Sequence, residues 1–213
     1  MSITLIPISA KDIEIFRGAV FARKAIKAEN RDKIKQKLAD YYSQNPKSRE
    51  AALSYAAFNI LPSKSEDPFD QKEAIEGSIE AFKRVLEMEK GHWLSRYYIA
   101  KLQSLFDEYY DEDDYQLKDI EELIALQNQA DHKPYFILPY ILKAKLLYNL
   151  DRQEEAIKYI ETVESFPKEP VKELPDFLGY IFIEFENKLR VIEENEMADR
   201  IKKLGHAYFP EVV

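Results

Sequence analysis

The sequence predicts an all-α fold, a superhelix of about ten helices stacked as antiparallel hairpins, and three observations predict it. Apolar residues recur at three- and four-residue spacing along most of the chain, the period of one helical face. Only 5 of 213 residues are glycine, too few for the many turns of an all-β fold. Residues 139–163 read as a complete helical hairpin: Tyr140, Ala144, Leu147 and Leu150 share one stripe, Asp151, Arg152 and Gln153 break it, and Ala156, Ile157, Ile160 and Val163 form the next. Ala144 and Ala156 stand where the two helices would cross, and a methyl side chain lets backbones approach closely.

The elements follow in chain order. The first nine residues, MSITLIPIS, hold an apolar run of about six, shorter than a secretory core and without a basic lead; they read as an arm. Ser9 and Asp12 resemble a capping box, opening a helix to about Ala28 with Ile13, Phe16, Val20 and Phe21 on its stripe. A second helix from Asn30 or Arg31 turns Ile34, Leu38 and Tyr41 or Tyr42 inward and stops at Gln44, Asn45 and Pro46. The basic residues of this portion interleave with Glu14, Glu29, Asp32 and Asp40, which makes it a solvated face rather than a patch for an acidic partner or a membrane surface.

Ser48 caps a third helix carrying Leu53, Ala56, Ala57 and Ile60. Two prolines frame a loop at 62–68. A fourth helix, about 69–90, packs Ile75, Ile79, Phe82, Val85 and Leu86 and ends at Gly91 and His92. Trp93 opens a fifth, with Ile99, Ala100, Leu102 and Phe106 buried and Tyr97 and Tyr98 partly off that side. The acidic run at 107–114 lacks the glycine of a calcium loop and reads as a solvated turn. Leu117, Ile120, Leu123, Ile124 and Leu126 mark the sixth helix, and Pro134 and Pro139 fall near the start of the seventh. Two more helices, roughly 175–190 and 194–204, close the chain, with Gly205 as terminator. The apolar residues at 177–185 are too many for one stripe, so that helix is covered on two sides or forms an interface.

Ala56, Ala100 and Ala144 recur at a lag of 44, with Gly179 another 35 further on. A fixed lag between packing positions marks stacked supersecondary units. On these residues, with Leu147, Ala156, Ile160, Val163 and Pro167 in family-like places, the chain resembles the tetratricopeptide-repeat family; another α-solenoid or an irregular bundle fits the spacing less closely. The resemblance implies an N-terminal cap at 1–46, a repeat region with C-terminal capping helices at 47–213, and a concave groove that holds a peptide or a helical partner. The groove residues it implies are Leu94, Tyr97, Tyr98 and Lys101 on one helix and Ile141, Lys145 and Tyr148 on another. The alternative for the tyrosines is that they finish the core.

The same sequence argues against other functions. Net charge is −8, which opposes a nucleic-acid partner. No cysteine is present, so no thiol nucleophile, thiolate zinc site or disulfide can form. His92, His132 and His206 stand apart at expected helix ends, where a lone imidazole is a dipole contact or a surface residue. No HExxH, GxSxG or glycine-rich phosphate loop occurs, and adjacent glutamates such as Glu154 and Glu155 face different ways on a helix. The expectation is a cytoplasmic, non-catalytic scaffold binding a protein or peptide, with no cofactor, metal or membrane contact. A homodimer through the apolar C-terminal helix, or a small secretion-type chaperone, is the alternative.

Overall fold

The computed structural model describes residues 3–60, 68–106, 113–172, 174 and 176–212. Among them it is all-α: α1 (Ala10–Ala25), α2 (Ala28–Gln44), α3 (Arg49–Asn59), α4 (Pro68–Met88), α5 (Trp93–Gln103), α6 (Asp113–Gln127), α7 (Ile137–Asn149), α8 (Gln153–Ser165), α9 (Tyr180–Val191) and α10 (Asn195–Tyr208), with three short 3-10 turns. Neighbouring helices pack in pairs, as the periodicity requires. The expected loop at 62–68 and acidic turn at 107–114 fall largely outside the described residues, as do the side chains of Phe106 and Phe177. No described helix is long and apolar enough to cross a membrane. The chain divides into two compact units, Met1–Tyr110 and Asp111–Val213.

In the first unit the caps expected from sequence start the helices. Ser9 Oγ accepts from the Asp12 amide at 3.2 Å while the Ser9 amide donates to Asp12 Oδ2 at 2.9 Å, and Ser48 Oγ accepts from the Ala51 amide at 3.2 Å. The second helix opens at Ala28, earlier than Asn30 or Arg31, with no side-chain cap. Four buried alanines, Ala51, Ala52, Ala56 and Ala57, make α3 thin enough to be packed on both sides. It contacts α1, α2 and α4, and α4 contacts α5. At one crossing, Ser78 Oγ on α4 lies 3.2 Å from the Ala56 carbonyl. Phe16, Phe82 and Tyr98 stack with centroids 5.2–6.0 Å apart and join α1, α4 and α5.

The N-terminal arm is docked. The Ile6 amide donates to the Gly91 carbonyl at 2.8 Å and the Trp93 amide to the Ile6 carbonyl at 3.0 Å. A Cβ on Gly91 would stand 1.8 Å from the Thr4 carbonyl oxygen, so only glycine lets the arm pass.

In the second unit α7 packs on α6, α8 and α9, and α9 packs on α10. Lys143 occupies an apolar position of the stripe yet is 6% exposed. Its ammonium donates to Glu121 at 2.6 Å and to the Tyr159 hydroxyl at 2.5 Å, which is how a lysine is accommodated there. Both hairpins turn in the same way. After α7 the Arg152 amide donates to the Leu147 carbonyl at 2.8 Å around Asp151 at φ 55°. After α9 the Glu194 amide donates to the Leu189 carbonyl at 2.9 Å around Glu193 at φ 64°. These are Schellman turns with a left-handed acidic residue in the usual glycine place.

Gly205 does not end the last helix. It is buried inside α10, which runs on to Tyr208, and no glycine among the described residues has a positive φ. Gly179 lies in the 3-10 turn before α9 rather than at a helix crossing, and a Cβ there would come within 2.7 Å of the ring of Phe209, just beyond α10. Of the apolar residues at 177–185, Leu178, Ile181, Phe182 and Phe185 are buried, Ile183 is half-buried and Tyr180 is 40% exposed.

Candidate functional site: an open cleft between α1 and α2

The groove residues expected from the resemblance are mostly interior. Leu94, Tyr97 and Tyr98 on α5 and Ile141 and Tyr148 on α7 are all buried. Trp93 stacks on Tyr97 at 5.1 Å, and Tyr148 meets Phe185 edge-on at 5.4 Å. These rings close the core rather than offer a face, as the alternative reading had it. The cause is period: Leu94, Tyr97 and Tyr98 stand three and four apart and share a stripe, and that stripe turns inward. Lys101 and Lys145 are half-buried, and Lys145 is paired with Glu184 at 3.1 Å.

A polar cluster missed by the sequence reading lies in the core of the first unit. Asp12, His92 and Ser95 are fully buried. His92 caps α5: its Nδ1 accepts from the Ser95 amide at 3.3 Å and lies 2.8 Å from Ser95 Oγ. The other ring nitrogen, Nε2, faces Asp12 Oδ2 at 3.4 Å. Arg49 reaches Asp12 Oδ1 at 3.1 Å and Glu89 at 3.0 Å, and Ser9 Oγ donates to Asp12 Oδ2 at 2.6 Å. Burial pushes the Asp12 carboxyl up, but hydrogen bonds from His92 and from the Ser9 side chain and amide, with the His92 charge, hold it at about 2. The cluster clamps the start of α1 to α3, α5 and the arm. His92 is therefore no surface residue. His132 and His206 are exposed.

An accessible feature among the described residues of this unit is a cleft of about 500 Å³, inside the range of about 300–1,000 Å³ typical of ligand sites. Its first wall is α1, through Ile15, Gly18, Ala19 and Ala22. Its second wall is α2, through Ile34 and Leu38, and α3 supplies the floor with Ser54 and Phe58. The opening exists because α1 and α2 each pack on α3 and their small residues, Gly18, Ala19 and Ala22, leave the space between them unfilled. A Cβ built on Gly18 would meet nothing within 4 Å. Lys11, Glu14 and Glu50 rim the cleft, with Lys11 and Glu50 paired across α1 and α3 at 3.0 Å. Phe21, three residues beyond Gly18 on α1, is 74% exposed. Sequence reasoning placed Phe21, Ile34 and Leu38 on inward stripes. The one signal of a gap was the run of small residues at 18, 19 and 22.

Among the described residues no group of three or more His, Cys, Asp or Glu could hold a metal ion. Fold and cleft together define a protein of packed helical hairpins with an open apolar trough. No family model matches the chain, and no curated protein or solved structure matches it.

Proposed function

We propose that the protein is a non-catalytic interaction module, built of tetratricopeptide-like hairpins, that holds a segment of a partner protein in the cleft between α1 and α2. The observation that carries this reading is the cleft itself: an apolar floor and two apolar walls left open, with a helical glycine facing empty space. An unfilled apolar trough on a helical scaffold suits a partner segment that brings its own side chains to bury. The paired hairpins of the second unit, with their matching turns, support the tetratricopeptide-like part of the reading. The homodimer alternative drew on the apolar α9, where Ile181, Phe182, Phe185 and Leu189 are buried in the monomer.

The test is affinity purification with quantitative mass spectrometry on wild type, Gly18→Trp and Val191→Ser. The indole fills the trough, whereas Val191 is 82% exposed and lies in the other unit. A partner retained by wild type and Val191→Ser but lost from Gly18→Trp is the expected result. The same partners with all three proteins would remove the cleft from the account.

A further inference from the structure

Among the described residues of the first unit, α2 is the helix that puts no side chain into the core. All of its described side chains are half-buried or exposed, whereas α3 buries seven of its eleven residues and α1 buries Asp12, Phe16 and Arg23. The inner edge of α2 is Ile34, Leu38 and Tyr42, each half-buried, and the first two face the cleft. Most helical stability in a protein comes from burying an amphipathic face, and an isolated helix of about 12–15 residues is marginal in water. The 17 residues of α2 therefore keep their shape only while they rest on α3.

Its two ends are held unequally. Lys27 at the N-cap makes no side-chain capping bond, and no basic residue stands in the last turn to meet the helix dipole. Ile26 and Lys27, which join α1 to α2, are extended, with ψ of 130° and 147°. At the other end the Asn45 amide and Nδ2 both donate to the Tyr41 carbonyl, at 3.1 and 2.8 Å. There Tyr42 stacks on Tyr55 of α3 with centroids 5.0 Å apart, and the Arg84 guanidinium of α4 sits 4.6 Å from the Tyr42 centroid. The Tyr42 hydroxyl is buried without a hydrogen bond, so the ring makes the contact. The neighbours of α2 are fixed without it: Arg23 over the Phe58 ring at 5.3 Å pins the end of α1, and Ser48 caps α3. We propose that α2 is a releasable lid on α3, latched by Tyr42, which parts from α3 and melts as one unit while α1, α3, α4 and α5 stay folded. Release removes one wall of the cleft and uncovers Tyr55, so access to this side of α3 is set by a local opening and not by global unfolding.

The experiment is native-state hydrogen exchange, read amide by amide by NMR on the full chain in water and in urea below the unfolding transition, for wild type, Tyr42→Phe and Tyr42→Ala. In wild type the amides at 34–44 are expected to exchange together, at least tenfold faster than those of α3 and with a weaker dependence on urea. Tyr42→Ala should speed the same amides at least another tenfold and leave α3 and α5 as in wild type. Tyr42→Phe keeps the ring and sheds the unpaired hydroxyl, so α2 should exchange at the wild-type rate or slower. Protection of α2 equal to that of α3, with the same urea dependence, would overturn the lid. So would protection that declines steadily towards one end of α2, which is fraying and not release. A Tyr42→Ala that leaves α2 unchanged or speeds every helix alike, or a Tyr42→Phe that opens α2 as far as Tyr42→Ala does, would overturn the latch.

Discussion

Replacing Asp12 by Asn tests whether the buried cluster is the clamp that its geometry describes. The Asp12 carboxyl titrates at about 2 in the folded protein against an ordinary 3.8. At about 1.4 kcal/mol for each tenfold change in proton affinity, that gap amounts to about 2 kcal/mol of folding stability. Because the folded value is the lower one, this stability is fully present above pH 3.8. It is lost as the pH falls towards 2, where the folded protein takes up the proton that the unfolded chain already holds. Urea titrations followed by far-UV circular dichroism, run on wild type and Asp12→Asn from about pH 6 to about pH 2.5, give the difference directly. At the upper end the variant is expected to be about 2 kcal/mol less stable, since Asn keeps the shape but not the charge facing Arg49 and His92. At the lower end the gap should narrow to well under half of that, as the unfolded chain is already protonated and the folded acid begins to take up its proton. A gap that stays constant with pH, or never reaches about 0.5 kcal/mol, would refute the clamp.

Two further outcomes follow from backbone geometry. Gly91→Ala drives a methyl group against the Thr4 carbonyl and should release the arm; hydrogen exchange at the Ile6 and Trp93 amides, bonded in the native protein, is expected to accelerate at least tenfold, and unaltered protection would contradict the arm's docking. Glu193→Gly relieves a left-handed residue at φ 64°, and should raise stability by roughly 0.5–1 kcal/mol; a lower urea midpoint for the second unit would show that the turn does not strain the chain.

Much of the fold was legible because its determinants are local. Ser9 and Asp12 stand three apart and can only meet across the first turn of a helix, so the start of α1 followed from spacing alone. The hairpin at 139–163 followed likewise from two stripes and a polar break, and the structure places Tyr140, Ala144, Leu147, Ala156, Ile160 and Val163 in its core. The lag of 44 located buried small residues on α3, α5 and α7. The fourth position fell differently, because the matching Schellman residues Asp151 and Glu193 set the two hairpins of the second unit 42 apart, not 35.

The sequence by itself determined which segments are helical, where most of them begin, and that each must hide one face. Only the tertiary structure decided which faces stay uncovered, because that depends on which helices meet. Tyr97 and Tyr98 point into the stack of Phe16, Phe82 and Trp93, residues up to 82 positions away in the chain. Asp12 and His92, separated by 80 positions, share one buried pocket of charge. Ile34 and Leu38 carry an ordinary core pattern, yet α2 rests on α3 while the small residues of α1 leave the trough open beside them. Helical period is a property of neighbours along the chain; an unfilled space is a property of three helices at once.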